Sequence, residues 1–143
     1  MKRLLILVAA LSLAACATYK DNAPSWMPGS GAVSVKLTGA EEVPPVNASG
    51  SGSGTIRIGA DGAVSGSITT TGVQGTMAHI HQGAKGANGP VIIPLTKSGD
   101  TYTVPANAKL TDAQMQAFKE GRLYVNVHTT ANKGGEVRGQ LQP

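Results

Sequence analysis

Apolar residues alternate with polar ones in short segments of this chain from Val33 onward. Val33, Val35 and Leu37 share one side of an extended chain, which predicts a half-buried β-strand. Asp61-Gly62 is a strong hairpin signal, whereas the Gly/Ser-rich stretch 47–54 is predicted to be a flexible loop. The pattern predicts further strands at 56–58, 64–68, 77–82, 91–95, 102–104, 122–128 and 136–141.

One segment, LTDAQMQAFKEG, has the pattern of a short helix instead. Thr111 is the expected N-cap and Gln114 follows three residues later, which forms a capping box. Gly121 is expected to end the helix, while Met115 and Phe118 face the core. Many short strands and one brief helix predict an all-β fold, an antiparallel Greek-key sandwich or barrel.

The first fifteen residues, MKRLLILVAALSLAA, indicate a secretory signal peptide that is too short to span a bilayer. The next residues resemble the lipobox of bacterial lipoproteins, which implies that Cys16 carries a lipid anchor with fatty acyl chains such as palmitate. Cys16 is the single cysteine of the chain, and lipidation explains a lone thiol in an oxidising compartment. The alternative is an ordinary signal peptide that ends beside a cysteine.

The chain is therefore divided into a signal peptide (1–15), a lipidated Cys16 with a flexible tether (16–32) and one β-domain (33–143). The resemblance to lipoproteins implies the bacterial cell envelope, and Ala17 favours the outer membrane, with the domain facing the periplasm. The formal net charge of +4 includes Lys2 and Arg3 of the signal peptide. No basic cluster remains and aromatic residues make up 3%, which argues against a nucleic-acid partner.

The three histidines are His79 and His81 in MAHIHQG and His128 in LYVNVHTT. Residues two apart in a strand share a face, so His79 and His81 point the same way. In the later strand, the apolar residues of 123–127 form one face, which places His128 on the other. If these strands are neighbours, three imidazoles converge, and imidazole ligands suit copper and zinc.

Two alternatives remain open at this point. The histidines could be solvated surface residues, because periodicity does not show whether the two strands pair. Met77 lies on the same predicted face as His79 and His81, where a thioether would be an additional ligand that favours Cu(I). The competing interpretation of Met77 is a partly buried packing residue.

Three segments of the chain resemble the CHRD domain family, first described in chordin: LTGAEEVPPV, AHIHQGAKGANGPV and LYVNVHTTANKGGEVRGQL. They occur in the family's order and cover essentially the whole β-domain. The resemblance implies an immunoglobulin-like or superoxide-dismutase-like sandwich. It also implies a shared role for the His-x-His pair and the later histidine, that is, for His79, His81 and His128.

The family pattern includes three further charged residues, Glu42, Glu136 and Arg138. Each is a candidate to interact with a metal-ligating side chain and orient it, without binding the metal itself. For Glu136 and Arg138, which are predicted to share an outward strand face, a solvated charge or a structural ion pair is the favoured alternative. For Glu42 the sequence does not decide.

The same segments are distantly similar to copper-zinc superoxide dismutases, in which corresponding strands supply copper ligands. This chain departs from that pattern because it has three histidines and one cysteine. A bridged zinc half-site and a disulfide are therefore not expected. A single three-histidine copper site is the expectation, with Cu(I) and Cu(II) both open and zinc less favoured.

The leading functional prediction is an envelope lipoprotein that holds or delivers one copper ion, with a copper-donor or copper-acceptor protein as its partner. The first alternative is a non-metal interaction or adhesion module at the cell surface. The second is a minimal copper redox enzyme. Because no acid, base or substrate pocket can be recognised in the sequence, binding is favoured over turnover.

Overall fold

The computed structural model describes residues 31–143. The predicted signal peptide, Cys16 and most of the tether lie outside these residues. The described strands are β1 (Ala32–Leu37), β2 (Ser51–Ile58), β3 (Val64–Thr71), β4 (Gly75–Gln82), β5 (Val91–Pro94), β6 (Thr96–Ser98), β7 (Thr101–Thr103), β8 (Leu123–Thr129) and β9 (Val137–Leu141). A 3-10 turn (Gly39–Glu41) follows β1, and one helix, α1 (Asp112–Lys119), precedes β8.

The strands form two antiparallel sheets, which confirms the prediction of an all-β sandwich. One sheet has five strands in the order β1-β2-β3-β7-β6, and the other has four in the order β5-β4-β8-β9. An isolated bridge between Thr38 and Arg138 joins the end of β1 to β9 and so connects the two sheets. Within residues 31–143, no helix is long and apolar enough to cross a membrane.

The core lies between the sheets and is built from the alternating apolar residues. In β1 every second residue is buried, as the period-two pattern predicts. In the four-stranded sheet, the inward residues Ile80 of β4 and Val125 and Val127 of β8 are at most 1% exposed. The opposite face of this sheet is therefore free to carry polar side chains.

Helix α1 has the predicted capping. The Thr111 side chain accepts a hydrogen bond from the Gln114 backbone N–H, and the Gln114 side chain accepts one from the Thr111 backbone. The helix ends before Gly121, whose φ is +67°. Phe118 is buried in the core and Met115 packs against it, which confirms the apolar face.

Two features differ from the sequence-based prediction. The stretch 47–54 is not a loop throughout, because β2 already begins at Ser51. A Cβ atom at Gly54 would clash with the Ser67 carbonyl of β3, so the position of β2 between β1 and β3 selects glycine here. The second difference is the additional strand β6, which is exposed throughout and lacks the apolar alternation that would predict it.

Candidate metal centre

The three histidines lie on the outer face of the four-stranded sheet, where β4 and β8 are direct neighbours. Across these strands His79 is opposite Asn126, His81 is opposite Tyr124, and Met77 is opposite His128. The sequence predicted the faces but not this pairing. The pairing of β4 with β8 brings the His-x-His pair and His128 together in one cluster.

The imidazoles of the cluster are in mutual contact. His79 Nδ1 and His128 Nε2 are 3.0 Å apart. One nitrogen from each histidine can be chosen so that the three atoms all lie within 4.8 Å of one another. Two bonds of about 2.0–2.1 Å from nitrogen to one ion span about 4 Å, so small side-chain rotations bring the set to bonding distance.

Backbone carbonyls determine which nitrogens carry protons. His81 Nδ1 donates to the Gly89 carbonyl at 2.9 Å, and His128 Nδ1 donates to the Lys133 carbonyl at 2.8 Å. Because a carbonyl only accepts, both neutral rings keep their lone pair on Nε2. His79 Nδ1 must then donate its own proton to His128 Nε2. A metal ion would take the place of that shared proton.

The surroundings of His79 and His81 favour their neutral forms. Burial lowers the pKa of His79, and the neighbouring His128 and His81 lower it further. Burial also lowers the pKa of His81, although its interactions with the Gly89 carbonyl and the Asn126 side chain oppose that effect. Neutral imidazole is the metal-binding form, so both shifts favour a ligand set over a charged surface cluster.

The histidines are not solvated surface residues. His81 and His128 are 7% and 8% exposed, and His79 is half-buried. The loop 83–90 reaches His81 through Gly89, and the loop 130–136 reaches His128 through Lys133. The structure places these loops beside the outer face of the sheet, so the cluster lies in a partly covered site.

One buried atom fits a metal ion particularly well. His81 Nε2 is buried and has no hydrogen-bond partner. An unsatisfied buried polar atom of this kind costs about 1–3 kcal/mol in a protein. His81 is one of three histidines that can each offer one nitrogen within 4.8 Å of the others, and the Asn126 side chain also interacts with it. The buried Nε2 atom is therefore a candidate metal ligand.

Met77 shares the outer face with the histidine pair but is half exposed. A side chain that is half exposed is also half buried, so the interpretation of Met77 as a partly buried packing residue stays open. Its position opposite His128 keeps it next to the cluster in the sheet. Met77 consequently remains a candidate for an additional ligand at the exposed side.

Arg138 corrects another expectation. The favoured interpretation was a solvated charge or an ion pair, but the side chain is 1% exposed and forms no salt bridge among the described residues. It donates to the carbonyls of Ala84 and Ala87 at 3.0 and 2.9 Å. It also stacks on Tyr124, 3.5 Å from the ring centre. Burial occurs because the loop 83–90 folds over β9 and supplies acceptors.

Tyr124 is the site residue that sequence reasoning did not select. Its ring is parallel to the His81 ring within 7°, with centroids 4.7 Å apart. The signal was present in the sequence, because the alternation places Tyr124 on the same face as His128. Only the pairing of β4 with β8 shows that it lies against His81.

The two glutamates occupy different places. Glu42 is 4% exposed, and burial raises the pKa of its carboxyl, while Arg138, Asn126 and the Val43 backbone lower it. Glu136 precedes β9, and its carboxylate accepts hydrogen bonds from Thr129 and Asn132. Neither glutamate belongs to the group of close metal-ligating atoms, which consists of the three histidines.

The fold and the cluster together define an all-β sandwich with a candidate three-histidine metal centre on the outer face of one sheet. A sequence profile of the CHRD domain matches residues 33–141. The chain therefore belongs to the CHRD domain family, as its three sequence segments predicted. Comparisons with curated proteins and with solved structures find no match. The distant similarity to copper-zinc superoxide dismutases stays a prediction.

Proposed function

We propose that this CHRD domain binds a single copper ion through His79, His81 and His128, and that it holds or delivers the ion. The observation that carries this proposal is the arrangement of lone pairs. Hydrogen bonds to carbonyls leave the Nε2 lone pairs of His81 and His128 free, and the three histidines can each offer one nitrogen within 4.8 Å of the others. A surface cluster without a ligand would not require such fixed tautomers.

The donor set favours copper among the divalent metals. It consists of imidazole nitrogens, without a carboxylate or thiolate in the group. For such donors, the affinity order of the first-row ions reaches its maximum at Cu(II), with zinc below it. A bound copper ion would supply a one-electron redox couple at this site. The half-exposed Met77 offers a soft sulfur that would assist Cu(I).

The accessibility of the ligands suits holding and exchange. His81 and His128 are buried, whereas His79 is half-buried and Met77 is half exposed. An approaching donor or acceptor protein would therefore reach the ion from the side of His79. We propose that such a copper protein is the partner.

The test is a titration of the purified protein with Cu(I), Cu(II) and Zn(II), with metal content measured after dialysis. Wild type is expected to retain one copper ion. His81→Ala and His128→Ala are expected to lose most of the affinity. Thr130→Ala, a substitution of an exposed residue near the site, is the matched control and is expected to bind normally. Unchanged copper binding after replacement of all three histidines would end the proposal.

If wild type binds no metal above background, the alternative of a cell-surface interaction module becomes the one to pursue. Turnover well above that of free copper would instead promote the redox-enzyme alternative. The titration therefore separates a metal-binding protein from an interaction module, and a redox-turnover assay on the same copper-loaded protein separates holding from catalysis.

The proposal includes attachment to the bacterial outer membrane through a lipid on Cys16, with the domain in the periplasm. It is supported by the sequence features of residues 1–32. Labelling cells with radioactive palmitate should mark the wild-type protein and leave Cys16→Ser unlabelled. A labelled Cys16→Ser protein, or a wild type that is soluble and unlabelled, would contradict the anchor.

A further inference from the structure

We propose that Arg138, Tyr124 and His81 form a functional stack that positions the His81 ligand and favours Cu(I) over Cu(II) at the site. This inference rests on the proposed function of the cluster. The guanidinium carbon of Arg138 lies 3.5 Å from the Tyr124 ring centre, and the Tyr124 ring is parallel to His81 at 4.7 Å. A cation, a phenol ring and a metal-ligand ring therefore lie in contact one after another.

The stack is held at its edges as well as at its faces. The Tyr124 hydroxyl accepts a hydrogen bond from the Gly89 N–H at 3.2 Å, and the Gly89 carbonyl accepts one from His81 Nδ1 at 2.9 Å. One residue of the loop 83–90 thus connects the two rings. With its face against Tyr124 and its Nδ1 fixed, the His81 ring cannot turn its Nε2 away from the cluster without breaking both contacts.

Arg138 brings a permanent positive charge to this stack, because a guanidinium stays protonated in proteins. The side chain is 1% exposed and its best hydrogen bonds go to neutral carbonyls of the loop, those of Ala84 and Ala87. Glu42 is the acid close enough to attract it, but the two form no salt bridge. The charge is therefore not cancelled by a contact ion pair.

A fixed positive charge beside a metal site disfavours the more highly charged ion. Water screens this effect little here, because Tyr124 is 2% exposed and separates Arg138 from His81 without solvent between the stacked rings. Replacement of Cu(II) by Cu(I) removes one positive charge from the site. The stack should therefore raise the Cu(I) affinity relative to the Cu(II) affinity.

The experiment compares Arg138→Met with Arg138→Lys in the full chain, and measures Cu(I) and Cu(II) affinities for each. Both substitutions remove the guanidinium fork, but only lysine keeps the charge. We expect Arg138→Met to lower the ratio of Cu(I) to Cu(II) affinity by about tenfold or more, which is about 59 mV in a one-electron potential. Arg138→Lys keeps the positive charge, so its ratio of Cu(I) to Cu(II) affinity should stay within about threefold of the wild-type ratio.

A second measurement tests the positioning role on the metal-free protein. Nitrogen-15 NMR of the wild type should show His81 as one tautomer, with the proton on Nδ1. Tyr124→Phe keeps the ring and should preserve that tautomer, whereas Tyr124→Leu removes the stack and should give a mixture. Exchange between tautomers in the wild type would overturn the positioning role without requiring any variant to fold.

The outcomes are distinguishable. Equal ratios for Arg138→Met and wild type, or equal shifts for the methionine and lysine variants, would overturn the electrostatic role and leave the copper proposal intact. A wild type that binds no copper would overturn both the proposed function and this inference. A ratio of Cu(I) to Cu(II) affinity that falls in Arg138→Met and stays near the wild-type value in Arg138→Lys supports the stack.

Discussion

Substitution of His81 by leucine should have opposite consequences for the metal-free and the metal-bound protein. In the metal-free protein, leucine removes a buried Nε2 atom that has no partner, and relief of such an orphan is worth about 1–3 kcal/mol. It also removes the hydrogen bond to Gly89, worth about 0.5–1.5 kcal/mol. The lost stacking on Tyr124 costs about 0.5–1.5 kcal/mol more.

These contributions nearly cancel, so the free energy of unfolding of metal-free His81→Leu should lie within about 1 kcal/mol of wild type. With copper at a hundred times its dissociation constant, wild type should gain about 2.7 kcal/mol and the variant nothing. The stability order of the two proteins is therefore set by copper. Below its dissociation constant they are nearly equal, and above it wild type is clearly more stable.

The assay is urea unfolding followed by circular dichroism, with a chelator in one series and copper in the other. Ile80→Ala is the calibration, because Ile80 is 1% exposed on the opposite face of the same strand and should cost about 2–5 kcal/mol with and without copper. A metal-free His81→Leu protein less stable than wild type by more than about 2 kcal/mol would refute the reasoning. His81 would then be a structural residue.

Three further substitutions separate the helix, the loop and the exposed side of the site. Thr111→Ala removes the capping box with Gln114 and should lower the free energy of unfolding by about 1 kcal/mol in urea, with copper affinity unchanged. A loss of copper affinity would contradict the independence of the helix and the metal site. Gly135→Ala should lower the free energy of unfolding by about 1–3 kcal/mol or more, because Gly135 has a φ of +134° and a Cβ atom there would clash with the Glu42 side chain. A variant as stable as wild type would contradict this conformation of the loop. Met77→Leu should weaken Cu(I) binding and leave Cu(II) binding unchanged in competition titrations, and equal Cu(I) affinity would remove Met77 from the ligand set.

The sequence was informative wherever structure depends on near neighbours. Alternation with a period of two correctly assigned the inner and outer faces of β1, β4 and β8, because side chains in a strand alternate by geometry alone. The capping box at Thr111 was equally local and was confirmed. The extension of β2 to Ser51 was missed, because pairing on both sides overrides the low strand propensity of glycine and serine.

Burial of the site could not be predicted, because it depends on loops that are distant in sequence. Arg138 is buried by carbonyls of Ala84 and Ala87, more than fifty positions away along the chain. Asn88 of the same loop donates to the Val43 carbonyl at 2.8 Å, which ties the loop 83–90 to the segment after β1. Alternation in the sequence correctly placed Arg138 on the outer face of the sheet. Its burial arises only because the loop 83–90 covers that part of the face.

The two faces of the four-stranded sheet therefore serve different purposes. The inner face packs Ile80, Val125 and Val127 against the other sheet and provides the apolar burial on which the fold depends. The outer face buries two imidazoles and a guanidinium, and their hydrogen bonds to loop carbonyls offset the cost of burying these polar groups. The strands would pair and pack without His81 Nε2, which has no partner in the fold. The Nε2 atom of His81 is the part of this face that the hydrogen bonds of the fold leave without a partner, and the metal ion that we propose would account for it.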